Sequence, residues 1–252
     1  MSATLTELVS FCDRILDARS FKDYCPNGLQ VEGHPEIDRL AVAVTANQSV
    51  LDLAVQQRAN ALLVHHGYFW RGEPAPLVGM KKRRIETLLQ HDMSLIAYHL
   101  PLDAHSAIGN NAQLAKRLGI LVTQPLFNEA FSVGSVGELE QPRELRQIVA
   151  EWEALSGHRS LFIGEEGRVI RRVGWCTGAA QDYIDRAAEL ECDLFISGEV
   201  SERTVHSARE QNIAYMAAGH HATERYGVQA LAAELASQFA LQWEFIDCNN
   251  PV

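Results

Sequence analysis

An apolar run, Leu62-Leu63-Val64, ends on two adjacent histidines and a glycine, His65-His66-Gly67. Side chains of similar chemistry recur downstream at Asp103, His220 and Glu224. Imidazole nitrogens and carboxylate oxygens without thiolates suit zinc, iron, manganese or nickel. A catalytic zinc usually keeps three protein ligands. Five candidates suit two divalent transition metal ions roughly 3.5–4 Å apart, bridged by a carboxylate or a water, and Glu224 is the candidate bridge. Neighbouring side chains on a strand face opposite ways. His65 and His66 therefore serve two ions, or one ion if the chain turns sharply at Gly67. His220 and Glu224 share a face if a helix begins there. Structural duty for these histidines is the competing reading.

His99 lies in Tyr98-His99-Leu100-Pro101-Leu102-Asp103 and is the candidate catalytic residue, a proton shuttle or a donor behind the ligands. It equally fits a satisfied histidine at a strand end. His105, His206 and Glu199 are weaker candidates of the same kind.

The elements that must position these residues alternate along the chain. Strands are expected at Leu40–Thr45, Ala61–His65, Ser94–His99, Val169–Thr177, Asp193–Ser197, Ile213–Ala217 and Leu241–Asp247. Amphipathic helices are expected at Thr4–Ala18, Ser49–Ala59, Lys81–His91, Asn110–Leu118, Gln181–Leu190, Ser201–Glu210 and Ala222–Phe239. Short apolar runs alternating with amphipathic helices predict α/β layers with largely parallel sheets. The middle of the chain reads as a strand over Phe131–Leu139 and a helix over Pro142–Leu155, with proline in its first turn. Asp23 to Gln30, with Pro-Asn-Gly inside it, reads locally as a plain loop. Gly109-Asn110-Asn111 reads as a turn and helix cap, and Lys81-Lys82-Arg83-Arg84 as a solvated helix face.

The halves repeat. Thr45-Ala46, a helix and a strand ending at His65-His66 align without a gap on Thr177-Gly178, a helix and a strand ending at Ser197-Gly198. Further on, Ile96-Ala97-Tyr98 aligns with Ile213-Ala214-Tyr215, which sets Asp103 against His220. This predicts internal duplication: two topologically similar α/β domains, residues 1–125 with His65, His66 and Asp103, and 126–252 with His220 and Glu224. A metal site is expected in the cleft between them.

The bulk properties exclude several classes. A formal charge of −10 argues against generic binding of nucleic acid or acidic membranes. No apolar run approaches a membrane span, and the N-terminal stretch reads as an amphipathic helix rather than a signal peptide. Five scattered cysteines without a C-x-x-C pair are neither a disulfide framework nor a zinc-finger pattern, so a cytoplasmic location is expected. No phosphate-binding glycine loop is present.

Several blocks together resemble the YbgI family, labelled GTP cyclohydrolase I type 2 homologues or dinuclear metal-binding proteins. They are Asn27-Gly28-Leu29-Gln30-Val31-Glu32-Gly33, His65-His66-Gly67-Tyr68-Phe69-Trp70, His99-Leu100-Pro101-Leu102-Asp103-Ala104-His105, Thr177-Gly178, Gly198-Glu199 and Gly219-His220-His221-Ala222-Thr223-Glu224. The resemblance runs from about Asp23 to the C-terminus. It implies two similar α/β domains and a homohexameric toroid with metal sites facing its cavity. It carries the ligand roles onto His65, His66, Asp103, His220 and Glu224. It also makes Gly28 and Gln30 part of a family block, against the plain-loop reading.

Two classes of function follow. One is a metal-dependent hydrolase with a small-molecule substrate, a purine nucleotide such as GTP if the label holds, or a related cyclic amide or phosphoester. The other is a non-catalytic protein that stores, inserts or senses metal. A ring that encircles nucleic acid ranks third, given the net charge.

Overall fold

The computed structural model describes residues 3–128 and 132–252. The chain forms two compact units, Met1–Leu102 with Gly227–Asn249, and Asp103–Tyr226 with Asn250–Val252. The first break falls at Leu102/Asp103 rather than at 125/126. Asp103 and the helix Asn110–Leu118 thus belong to the second unit, and the last strand belongs to the first. Packing explains both assignments. Leu114, Ala115 and Leu118 enter the core that holds Trp152 and Trp175, whereas Gln242–Phe245 pairs in parallel with Arg39–Val42.

The first unit begins with β1 (Ala3–Thr4) and α1 (Leu5–Ile15). Thr4 and Glu7 close a reciprocal capping box that starts this helix. There follow β2 (Gly28–Val31), β3 (Glu36–Ile37), β4 (Arg39–Thr45), α2 (Gln48–Gln56), β5 (Ala61–His66), α3 (Gly79–Gln90) and β6 (Ser94–Ala97). The main sheet holds β2, β4, β5, β6 and the final strand, Gln242–Phe245. β4, β5 and β6 are parallel, and β2 runs antiparallel along β6. Residues 61–64 are fully buried, which is why this strand reads as an unbroken apolar run.

The second unit follows α4 (Leu100–Ala104) with α5 (Asn110–Leu118), β7 (Ile120–Pro125), β8 (Ser135–Glu144), α6 (Leu145–Ser156), β9 (Leu161–Ile163) and β10 (Val169–Cys176). Then come α7 (Ile184–Glu189), β11 (Leu194–Ser197), α8 (Glu202–Glu210), β12 (Ala214–Ala217) and α9 (His220–Phe239), before β13 (Gln242–Phe245) completes the first sheet. β10, β11 and β12 are parallel, β9 runs antiparallel along β12, and β8 antiparallel along β10.

Both units therefore contain three parallel strands followed by an antiparallel edge. Register sharpens the likeness. Leu40 pairs with Ala61 and Thr45 with His66, while Val173 pairs with Leu194 and Cys176 with Ser197, at the same spacing along the chain. The third strands, however, require a correction. Leu63 pairs with Ile96, and its counterpart Ile196 pairs with Met216. Tyr215 is thus equivalent to Leu95 rather than to Tyr98, and the expected match of Asp103 with His220 dissolves; likewise Thr45 answers to Gly178 rather than Thr177, the turn from Asn47 N to Thr45 O recurring from Ala180 N to Gly178 O. The shared Ile-Ala-Tyr triplet misleads because apolar strand triplets recur by composition.

The middle of the chain also differs. Pro142 lies in β8, beside an irregularity in its pairing with β10, rather than in a helix. Strand bulges tolerate proline, and α6 starts only at Leu145 behind a capping box of Glu144 and Gln147. The expected strand start at Phe131 lies outside the described residues. Among the described residues, no helix is long and apolar enough to cross a membrane.

Candidate functional site

In the first unit, His65 and His66 end β5 and their rings lie 4.6 Å apart between centroids. Strand alternation alone does not predict this closeness. His65 leans toward β6, with its Nδ1 2.9 Å from the Tyr98 carbonyl, and His66 leans toward β4, with its Nδ1 3.1 Å from Thr45 Oγ1. A carbonyl only accepts, so His65 carries its proton on Nδ1 and its lone pair on Nε2. Gly67 is needed here for space. A Cβ at this position would stand 2.2 Å from Gln30 Oε1, which accepts a hydrogen bond from the Tyr68 backbone at 2.7 Å.

His99 completes this cluster. One ring nitrogen each from His65, His66 and His99 lies within 4.8 Å of the others, and Trp70 stands edge-on to His99 at 5.0 Å. The His99 Nδ1 lies 2.7 Å from Asp23 Oδ1. Asp23 also accepts from the Tyr24 and Leu100 backbones and the Asn27 amide, while Asn27 Oδ1 accepts from the His99 backbone. The Asp23–Gly28 turn is therefore a clamp on His99–Leu100, not a plain loop. Burial alone would raise the Asp23 pKa, but the His99 hydrogen bond and charge, then Asn27 and the Tyr24 backbone, hold it at about 2. Asp23, Cys25 and His99 form a second close group. Burial, then the Asp23 charge, pushes the Cys25 thiol up to about 12.

In the second unit, Asp103 is buried and its Oδ1 accepts from Asn110 Nδ2 at 2.9 Å and Thr177 Oγ1 at 3.3 Å. Asn111 ties the Asp103 carbonyl to the Thr177 backbone. Gly109-Asn110-Asn111 does begin a helix, but both asparagine side chains are spent on Asp103 and Thr177. His220 and Glu224 occupy the first turn of α9, with Nε2 and Oε2 3.1 Å apart. Glu199 Oε1 lies 2.7 Å from His220 Nδ1. Burial works against charge on His220, but the Glu224 hydrogen bond and charge, then those of Glu199, lift its pKa to about 9.

Two glycines make room for this turn. Gly178 has a φ of +71°, and a Cβ there would stand 2.3 Å from Glu224 Oε1. A Cβ on Gly198 would stand 2.6 Å from the His220 Cα. Thr177-Gly178 and Gly198-Glu199 are thus the floor and side wall of His220 and Glu224.

The weaker candidates separate cleanly. Glu199 supports His220. His105 accepts from the Ala107 and Ile108 backbones and closes a local turn. His206 pairs with Glu202 on an exposed helix face. Lys81 bridges Glu73 at 3.3 Å, donates to the Pro74 carbonyl and lies over the Phe69 ring, so it braces the loop after the paired histidines.

Each unit thus carries groups fit for a metal. The first offers oriented imidazoles, and the second offers buried carboxylates with one oriented imidazole, the donor chemistry of borderline divalent ions. An α/β protein of two units, each with imidazole or carboxylate donors at the ends of its elements, is the class defined by this structure. Residues 3–251 match Duf34/NIF3 (NGG1p interacting factor 3), and the chain belongs to this family. It is 52% identical to a Pseudomonas aeruginosa protein named GTP cyclohydrolase 1 type 2 homolog, over all of both chains. A Vibrio cholerae protein of the same name is 49% identical over 98% of each chain. A solved structure described as protein ybgI of unknown function superposes with a TM-score of 0.95 at 46% identity, covering 99% of this chain and 100% of its own.

Proposed function

We propose that His65, His66, Asp103, His220 and Glu224 hold two divalent transition metal ions per chain. The centre serves a metal-dependent hydrolase acting on a nucleotide or a related cyclic amide or phosphoester. The observation that supports this reading is the tethering of the imidazoles. His65 is held through Nδ1 by the Tyr98 carbonyl and His220 through Nδ1 by Glu199, the arrangement that turns Nε2 into a fixed, basic ligand atom.

The bound ions supply Lewis acidity and a strong water-derived nucleophile at neutral pH. The protein supplies the rest. Glu224 and Asp103 would contribute the carboxylates that hold the ions, and Glu199 stops the His220 ring from turning. His99, aligned by Asp23, is assigned to proton transfer at its Nε2. The names of the relatives point the substrate toward nucleotide chemistry. Zinc, iron, manganese and nickel all fit the donor set. The chain acts as a homohexamer in the cytoplasm, without membrane or nucleic-acid partners.

One observation favours a second reading, a protein that stores, inserts or senses metal. Lys81, first of the basic run, is committed to Glu73 and Pro74 rather than presented to a phosphate. A turnover screen of metal-loaded protein separates the two. Hydrolysis of a nucleotide, cyclic amide or phosphoester that disappears in Asp103→Ala is the expected result. No turnover of any of these, with exchangeable metal, would leave metal handling. Light scattering tests the hexamer.

A further inference from the structure

The second unit holds a cavity of about 680 Å³ at the end of its sheet away from His220 and Glu224. The edge strand β9 runs antiparallel along β12, with Leu161 opposite Ala217 and Ile163 opposite Tyr215. The cavity lies where β9 ends and β12 begins, against Ile163 and Ile213. His220 and Glu224 follow the other end of β12. The residues of β12, at roughly 3.3 Å each, separate the two places. Phe162, Ile163 and Ile213 supply apolar lining, and Arg168, Arg209 and Asn212 supply polar groups. Arg168 Nη1 donates to Asn212 Oδ1 at 3.2 Å. That bond occupies the amide oxygen and leaves the Asn212 Nδ2 hydrogens as donors. Among the described residues, neither guanidinium is in an ion pair, in a chain whose formal charge is −10. Glu165 is the one carboxylate among the described lining residues.

We propose that this cavity is a second binding site, separate from the metal centre, for an organic phosphate with a flat apolar body. Guanidinium groups take phosphate oxygens in paired, charge-assisted N–H···O bonds. Arg168 and Arg209 supply such groups, and the Asn212 amide adds a neutral donor. The lining has two arginines against one glutamate, so a phosphate offsets an excess of positive charge. The apolar side chains suit a flat ring system, and Glu165 suits a hydroxyl or amino donor upon it. The volume falls within the range of roughly 300–1,000 Å³ typical of small-molecule sites. Ile213 is buried in the core, which fixes this wall before any ligand arrives. The inference does not depend on the reading of the metal centre.

The test is isothermal titration calorimetry of the full chain as purified, with adenosine monophosphate as the probe and adenosine and inorganic phosphate as its separate halves. Saturable binding of adenosine monophosphate, tighter than either half, is the expected result. Loss of a hydrogen bond to a charged group weakens affinity by roughly 10- to 100-fold, and that loss is expected for Arg209→Ala and for Arg168→Ala. Arg209→Lys should fall between wild type and Arg209→Ala. Glu224→Ala, at the metal centre, should bind as wild type does. Arg209 is exposed, so Arg209→Ala should fold, and it decides the matter if Arg168→Ala does not. A purely structural duty, with Arg209 answering the C-terminal end of α8 and Arg168 bracing Asn212, predicts no saturable binding in wild type. That result overturns the proposal, as does adenosine bound as tightly as its monophosphate, or Arg209→Ala bound as tightly as wild type. Binding lost in Glu224→Ala and kept in Arg209→Ala would move the phosphate to the metal centre and also overturn it. Wild type that binds the probe yet takes up no metal would sink the metal assignment alone.

Discussion

At equivalent strand ends, the two units do opposite things. In the first, β5 finishes on His65-His66, large donors pinned by the strands on either side. In the second, the same register positions are Gly198-Glu199. Gly198 leaves room for the backbone of His220, and Glu199 holds the His220 ring through Nδ1. The first unit thus offers its histidines from a strand end. The second places a glycine and a supporting carboxylate there and offers its donors from two helices. A duplicated scaffold keeps its parallel strands and register, because these are fixed by the core, while residues at the open end of the sheet diverge.

The largest expected break in this comparison is Gly178→Ala. The added Cβ meets Glu224 Oε1, and the positive φ disfavours any residue but glycine. A loss of about 3 kcal/mol in urea unfolding is expected, together with loss of bound metal. Gly67→Ala in the first unit meets Gln30 Oε1 and the fixed Ala97 Cβ without a positive φ, so a comparable loss is expected there from packing alone.

Asp23→Asn comes next. It removes the charge that aligns His99, and a loss of about 2 kcal/mol at neutral pH is expected. The sign with pH follows from the direction of the shift. The folded pKa of Asp23, about 2, lies below its ordinary value. Its contribution is complete above about pH 4 and disappears as pH falls through 2. Acid melts of wild type and Asp23→Asn should therefore converge near pH 2.

The smallest effect is expected at His206, whose pairing with Glu202 is solvent-exposed. His206→Ala should change stability by less than about 0.5 kcal/mol and leave metal content intact. That result would separate it from His220, which also sits beside a glutamate.

The sequence exposes the parts of this account that leave a local mark. Apolar runs reveal the strands, the gapless Thr45/Thr177 alignment reveals the repeat though one residue out of its structural register, and ligand-type residues at element ends reveal the candidate donors. Long-range partners leave no such mark. Nothing near Asp23 indicates that its carboxylate closes on His99 and Leu100, far along the chain. Asn110 and Asn111 look like turn residues because their locations and their bonding to Asp103 serve both purposes. The last strand looks like part of the second half, yet its partner is β4. Thr177-Gly178 was visible as a strand end, but its role beneath Glu224 depends on the fold.

Metal content per chain, by mass spectrometry, tests the central claim most directly, with wild type beside His65→Ala from the first unit and Glu224→Ala from the second. The account predicts about two transition metal ions per chain in wild type and a sharp fall in both variants. Wild type without metal after gentle purification and reloading, or either variant retaining the full complement, would contradict it.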